Sequence, residues 1–406
     1  MINVVFRNAI VLALGLLVTR HAEAQERRRG DDPTAAAHSP PALPPPGTNQ
    51  TLAGSSDERD PVNEGAPVGQ AAPPTAAGRT EILGSALRAG LEVFTQYGYR
   101  NTKDATGSGR SWAHAFDTPR VHGAIEGRWK RARGRIVLEA TRLADDTSQT
   151  SSTGDGLVLR VREAWGAFRL AEGLDISAGV IPTMTIPELD GTWMLRPIAP
   201  SGAQTLGLMS PADIGAKVRF DFPHGYGWIA SAAYNGEGYN NRVLNKGQAV
   251  ESAIELHPLA ATRELVPLAA YAAMQLGTAT AEATRSDRFT VGPLWQGSRI
   301  RVGALATWAY GVGSKLGQKA IVATTFVRLE PVPRVLLGAR FDHVVRNLEA
   351  ASADSVSTFW GTVGYRVALP IETFLAFTRA IATTRAESEV KGSDLWELRL
   401  IGRVVF

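Results

Sequence analysis

The sequence predicts an all-β protein, a transmembrane antiparallel β-barrel best counted as sixteen strands, with fourteen and eighteen as the neighbouring even counts. Three observations carry this. From about residue 83 onward apolar and polar side chains alternate with period two, in runs punctuated by turns. The connections between runs alternate short and long, as they do when short turns lie on one side of a barrel and long polar loops on the other. The last run, Leu395–Phe406, keeps its alternation to the final residue.

That last run sets Trp396, Leu398, Leu400, Gly402, Val404 and Phe406 on one face, with Glu397, Arg399 and Arg403 on the other. An edge strand of a soluble β-sandwich would alternate in the same way. Chain ends of soluble proteins are usually loose and wet, however, which suits a terminal aromatic poorly. In bacterial outer-membrane barrels a closing strand ending in Phe is the usual assembly signal, and Phe406 takes that place here.

Composition fits a barrel. The chain has 406 residues and no cysteine, which excludes disulfides, thiol catalysis and cysteine-ligated metals. Net charge is +4. Mean hydropathy is close to neutral at −0.08, as expected where only alternate residues face lipid.

The chain divides into three parts. Residues 1–24 read as a secretory signal peptide: Arg7, an apolar core from Ala9 to Val18, and an Ala-x-Ala site ending at Ala24. Residues 25–80 form a Pro/Ala-rich linker with Arg27-Arg28-Arg29 and Pro44-Pro45-Pro46, too poor in large apolar residues to build a core. It reads as disordered and periplasmic. Residues 81–406 form the barrel.

In order, the first strand faces lipid with Leu87, Ala89, Leu91 and Val93, and a polar loop follows from Arg100 to Ser111. The second turns Val121, Ile125 and Trp129 outward, with Arg120, His122, Glu126, Arg128 and Lys130 inward. The third turns Ile136, Leu138 and Ala140 outward, with Arg135, Glu139 and Thr141 inward. A loop at 144–155 leads to the fourth, Gly156–Leu170, and a turn at Ala171–Gly173 to the fifth, Leu174–Ile181. After Pro182–Pro211 the sixth turns Ile214, Ala216, Val218 and Phe220 outward, with Lys217 and Arg219 inward. The seventh tags Trp228, Ala230, Ala232 and Tyr234 as lipid-facing. The rest are Gln248–Leu256, Leu265–Leu276, Asp287–Leu294, Arg299–Tyr310, Lys319–Leu329, Val335–Val345, Val356–Ala368, Ile371–Ala382 and Leu395–Phe406. The tenth, Asp287–Leu294, is the weakest pattern. It is kept because both chain ends on one side require an even number.

The polar face gathers cations: Arg88, Arg120, Arg128, Lys130, Arg135, Arg160, Arg162, Lys217, Arg219, Arg299, Arg301, Arg340, Arg366, Arg399 and Arg403. The acids are Glu92, Glu126, Glu139, Asp213, Glu251, Glu255, Asp342 and Glu397, so cations lead by about two to one on this facing. Arginine stays charged at any working pH, and rings of Arg and Lys favour anions. Glu397 is placed to pair with Arg399, whereas Arg403 belongs to the unpaired positive excess. The long segment Pro182–Pro211 mixes apolar and polar residues. It reads as a constriction loop folded into the barrel, with Glu188, Asp190, Trp193 and Arg196 as eyelet candidates; an external cap or a contact between subunits is the alternative.

Arg160-Val-Arg-Glu-Ala-Trp-Gly-Ala-Phe168, Leu174 to Pro182, Tyr234-Asn-Gly-Glu-Gly-Tyr-Asn240, Asn245-Lys246-Gly247 and Leu337-Gly-Ala-Arg-Phe-Asp342 resemble the phosphate-selective porin O and P family. The resemblance covers 83–406 with short motifs. It implies a sixteen-stranded trimeric channel for small, often anionic, solutes. The lumen here is Arg-rich and mixed with acids, without a dense lysine cluster, which departs from strict phosphate selectivity.

The expectation is therefore a porin in the outer membrane of a Gram-negative bacterium, passing small hydrophilic solutes with a bias to anions, phosphate among them. Expected partners are lipid and lipopolysaccharide, the barrel-assembly machinery, two further copies in a homotrimer, and the anionic solutes; no nucleic acid and no cofactor is implied. An outer-membrane lipase or protease, or a plugged structural or adhesive barrel, are the alternatives. No G-x-S-x-G elbow, H-E-x-x-H pair or P-loop occurs in the sequence, and the histidines are scattered. No catalytic or metal-binding residue is proposed.

Overall fold

The computed structural model describes residues 80–82, 87–103, 109–142, 157–196, 198–205, 207–236, 238–239, 248–262, 264–279, 284–312, 315–349, 355–368, 370–383 and 395–406. The expected signal peptide, nearly all of the linker, and the loop at 144–155 lie outside them.

Sixteen strands form a closed antiparallel barrel. They are β1 (Leu87–Lys103), β2 (Arg110–Trp129), β3 (Ala132–Arg142), β4 (Leu157–Ala171), β5 (Leu174–Pro182), β6 (Ala212–Asp221), β7 (Gly227–Tyr234) and β8 (Ala249–Leu256). Then come β9 (Leu268–Ala279), β10 (Asp287–Gln296), β11 (Ile300–Val312), β12 (Lys315–Leu329), β13 (Val335–Val345), β14 (Ser355–Ala368), β15 (Ile371–Ala382) and β16 (Leu395–Val405). Two fragments join the sheet: Thr80–Ile82 pairs with the start of β1, and Thr284–Arg285 with the end of β9. Each strand pairs with its neighbours in sequence, so every ladder is satisfied and no edge is left open, the condition for a sheet to cross lipid.

The closure is where the final run placed it. β16 pairs with β1 from Leu395 opposite Thr102 to Val405 opposite Glu92. The Phe406 N–H donates to the Leu91 carbonyl at 2.8 Å, and the Leu91 N–H donates back to Phe406 at 3.1 Å. Leu398, Leu400 and Phe406 are exposed outward while Glu397, Ile401 and Arg403 are buried inward. The same division runs around most of the barrel: Ile125, Trp129, Ile136, Leu138, Ile214 and Val218 are exposed, and Arg120, His122, Glu126, Arg135 and Glu139 are buried. An apolar belt of this extent is a lipid-facing surface. Among the described residues no helix is long and apolar enough to cross a membrane.

Four expectations are refined or corrected. The tenth strand exists as β10, paired on both sides; its weak pattern comes from Gly292 and Pro293, where the ladder to β11 skips from Val291 to Leu294. The loop expected at Arg100–Ser111 is shorter, because β1 and β2 continue to Lys103 and Arg110. Tyr99, Trp112 and Trp396 hold this extension, their ring centroids 5.2–5.6 Å apart. The ninth strand begins at Leu268, leaving a longer turn after β8. The face of β7 is the reverse of the expected one: Trp228, Ala230, Ala232 and Tyr234 point inward and are buried, and Ile229 faces out. The reason lies inside the barrel.

The segment from Thr183 to Pro211 turns into the lumen. It carries a helix, α1 (Thr185–Trp193), and a single turn, α2 (Gly202–Thr205). Nine residues are too few for a stable isolated helix in water. What holds α1 is its apolar stripe, Ile186, Leu189 and Trp193, all buried at helical spacing. Met194 ends it in a left-handed conformation, φ 54°, its N–H returning to Asp190 O at 2.8 Å. The wall beneath has the small side chains that make room: Ala230, Ala232, Ala249, Ala253, Ala269 and Ala273 are clustered with Met184, Leu189, Trp193 and Leu195. At Gly338 an added Cβ would sit 2.4 Å from Leu195 Cδ1. The inner face of β7–β9 is apolar because it is covered by protein.

Candidate functional site: the lumen and its inner loop

The inner segment is tied to the wall at many points. At its entry Thr183 Oγ1 donates to the Ser210 carbonyl at 2.7 Å, closing the base of the loop. Glu251 of β8 accepts the Met184 N–H at 3.0 Å, and the Thr185 N–H and hydroxyl at 3.1 and 2.9 Å. These are unsatisfied donors at the start of α1, where a carboxylate is doubly favoured. Further along, Arg301 donates to the Gly191 carbonyl at 2.9 Å, Arg340 to Ala199 at 3.0 Å and Arg399 to Ile198 at 2.5 Å. Arg288 reaches the Leu208 carbonyl at 2.9 Å. Arginines from β10, β11, β13 and β16 thus hold the segment by its backbone oxygens.

Of the eyelet candidates, Asp190 and Arg196 form a buried ion pair with each other, and Arg196 also bonds Gln204. Trp193 is buried against Phe326, ring centroids 5.5 Å apart. These three brace the loop rather than face water. Glu188 lies at a junction: Gln296 Nε2 donates to Glu188 at 2.9 Å and to Glu255 of β8 at 3.0 Å. Burial first, and the neighbouring Glu255 charge second, push the Glu188 carboxyl well above the usual carboxylate range. His257, in the turn after β8, has Nε2 2.9 Å from Glu255 and Nδ1 2.9 Å from the Val266 carbonyl. Both ring nitrogens face acceptors. Burial alone would lower this imidazole, but the Glu255 hydrogen bond and charge outweigh it and raise it.

The opposite wall is charged. Glu139 on β3 receives Arg160 at 2.5 Å, Arg120 at 2.9 Å and the Tyr239 hydroxyl at 3.2 Å, with His122 Nε2 at 3.2 Å. Arg162 Nη1 lies 3.2 Å from the same His122 nitrogen. Arg135 lies 3.7 Å from Glu163. Arg162 and Glu163 are adjacent yet both point inward, because the β3–β4 register shifts between Val137 and Leu138 and leaves Arg162 as the extra residue. Toward the turn side Arg133 bonds Asp175 at 3.3 Å, Arg219 bonds Asp221 at 2.9 Å and stacks on Trp228, and Lys217 Nζ donates to the Pro182 carbonyl at 3.3 Å.

Several cations differ from the sequence reading. Arg403 does not belong to an unpaired excess: it binds Glu92 and, at 2.9 Å, Glu372. Arg366 pairs with Glu372 at 3.1 Å, Arg340 with Asp342 at 2.6 Å and Arg128 with Glu126 at 2.7 Å, while Arg399 meets Glu397 at 3.3 Å as the sequence reading placed it. Glu372 and Glu163 are lumen acids that the alternation missed. Lys130 and Arg299 lie in turns rather than on the wall; Lys130 has φ 52° and stacks over lipid-side Trp129 at 4.9 Å. Among the described residues no group of His, Asp and Glu could hold a metal ion.

No family model matches the chain, and no curated protein does. Solved structures match on fold. The outer membrane channel DcaP of Acinetobacter baumannii is 14% identical with TM-score 0.52, covering 80% of this chain and 98% of that one. An anion-selective porin from Comamonas acidovorans is 11% identical with TM-score 0.55, covering 79% and 99%. Salmonella typhi OmpF is 11% identical with TM-score 0.60, covering 80% and 100%. The chain therefore has the architecture of Gram-negative outer-membrane porins.

Proposed function

We propose that the chain forms a water-filled channel in the outer membrane of a Gram-negative bacterium, for passive diffusion of small hydrophilic solutes with a bias to anions. The observation that carries the bias is the order of charges through the wall. Where Arg and acid pair, the arginine is often the member that reaches water. Side-chain exposure is 48% for Arg100 over 11% for Glu397, 54% for Arg128 over 10% for Glu126, and 20% for Arg160 over 0% for Glu139. Arg219 with Asp221, Arg328 and Arg366 with Glu330, and Arg340 with Asp342 run the other way. A solute in the lumen meets guanidinium first, with the compensating carboxylate beneath it. Guanidinium forks suit oxyanions, so phosphate and other inorganic anions fall within this class. The bias is milder than a two-to-one excess of cations would give, because most of the wall is paired.

The reading includes barrel assembly signalled by Phe406, contact with lipid and lipopolysaccharide, and a homotrimer. One fold neighbour, OmpT of Vibrio cholerae, is described in a trimer form. Liposome swelling tests the channel. Small neutral sugars should enter at rates that fall with size, and small organic anions should enter faster than size-matched cations. Swelling no faster than in empty liposomes contradicts the reading.

A further inference from the structure

The connection between β7 and β8 lies on the loop side of the barrel, yet its described start does not leave the lumen. Asp213, at the head of β6, accepts the N–H groups of Gly236 at 3.0 Å and Gly238 at 3.1 Å through one carboxylate oxygen. Both glycines have positive φ, 86° and 76°. They allow the chain to curl tightly around that carboxylate, a conformation costly for residues with a Cβ. The curl is also crowded: a Cβ on Gly238 would stand 2.7 Å from Ser210 Oγ. The Tyr239 N–H then donates to the Ala212 carbonyl at 3.0 Å, which ties its backbone to the head of β6. The side chain ends against β3 and β4. Its hydroxyl donates to Glu139 at 3.2 Å, and the Arg160 guanidinium lies 5.0 Å from its ring centroid. Tyr239 is buried there.

We infer that Asn235, Gly236, Gly238 and Tyr239 form a second inward arm, and that Tyr239 sets the width and charge of the lumen beside β3 and β4. The arm rises from the base of the inner loop, since its anchors Ser210, Ala212 and Asp213 continue directly from that loop. The two inward segments therefore share one root and spread over different walls. The loop covers β8–β13 and reaches β16, and the arm touches β3, β4 and β6. Tyr239 acts on charge in two ways. Its hydroxyl occupies an oxygen of Glu139, and its ring covers one face of Arg160, the cation–π geometry that spreads and screens a guanidinium charge. Removing the ring uncovers Arg160 and widens the passage at the same level.

The inference rests on the channel reading, and planar-bilayer recording separates the two. Tyr239→Ala should conduct more than the parent protein, with a reversal potential in a KCl gradient shifted further in the anion direction. Tyr239→Phe keeps the ring and should stay near the parent in conductance. The chain has no cysteine, so Tyr239→Cys gives a single labelling site. A small negatively charged thiol-reactive reagent added to the open channel should change its current in a step. A parent protein that conducts, with Tyr239→Ala unchanged and Tyr239→Cys silent to the reagent, overturns the inference and leaves the channel intact. A silent parent protein removes both.

Discussion

Glu188 hangs from α1 toward a wall that already holds Glu255, and burial beside that second carboxylate favours its protonated form. The groups facing it are Glu255 on β8, His257 in the following turn, Gln296 on β10, the charges of Arg219 and Arg301 on β6 and β11, and the neutral Tyr271 phenol on β9. Both titrating partners outside the strands are raised. Glu188 begins to prefer its neutral form above the ordinary 4.5, so the seated helix loses stability as pH climbs toward the raised value. His257 contributes fully below its ordinary 6.5, and that contribution is lost as pH rises through its raised value. The two signs agree: alkali loosens α1 from the wall. Channel current should become noisier from neutral to alkaline pH, and Glu188→Gln, which keeps a hydrogen-bonding head without titrating, should flatten that dependence. Identical pH profiles for parent and variant would contradict it. Arg403 offers a stability test at the same scale. Removing it leaves Glu92 and Glu372 facing each other, and breaking a buried pair costs about 3–5 kcal/mol. Arg403→Ala should therefore unfold at lower temperature in a heat-modifiability gel, and adding Glu92→Gln should restore part of the loss.

At the scale of elements, period two locates fifteen of the sixteen strands by a lipid-facing apolar row, and the tenth rests on the even count that closure with both ends on one side requires. Period two is not enough to say which face is which where both rows are small. On β7, Ala230 and Ala232 alternate with Ser231 and Ala233, so Trp228 and Tyr234 alone decided the outward reading, and they decided it wrongly. The signal that settles the question is long-range: small residues at Ala249, Ala253, Ala269 and Gly338 leave a berth that matches Leu189, Trp193 and Leu195. The Arg162 bulge escapes the alternation for a related reason, because an extra residue shifts every facing after it. The berth makes a prediction of its own. Gly338→Leu should drive Leu195 and Trp193 off the wall while leaving β13 paired, and the displaced segment should become open to limited proteolysis. Deleting 183–205 should raise conductance and weaken selectivity if the segment constricts a pore. A plugged or adhesive barrel with no channel would stay silent.

For the whole molecule, closure, strand number and the inward segment follow from the sequence, because backbone pairing and lipid exposure impose them everywhere. The charge balance of the lumen does not, since it depends on which acid each arginine reaches. Glu139 and Glu372 each serve two arginines, and Glu92 bonds both Arg403 and His122, a sharing that only the closed barrel produces. The proposed anion bias therefore rests on pairs such as Arg100–Glu397 and Arg128–Glu126, in which the arginine is the more exposed member. The most direct test is the reversal potential of the reconstituted protein across a KCl gradient. Stepwise conductance with a reversal potential of the anion sign is the expected result. A membrane that stays silent, or one that reverses with the cation sign, would contradict an anion-leaning channel.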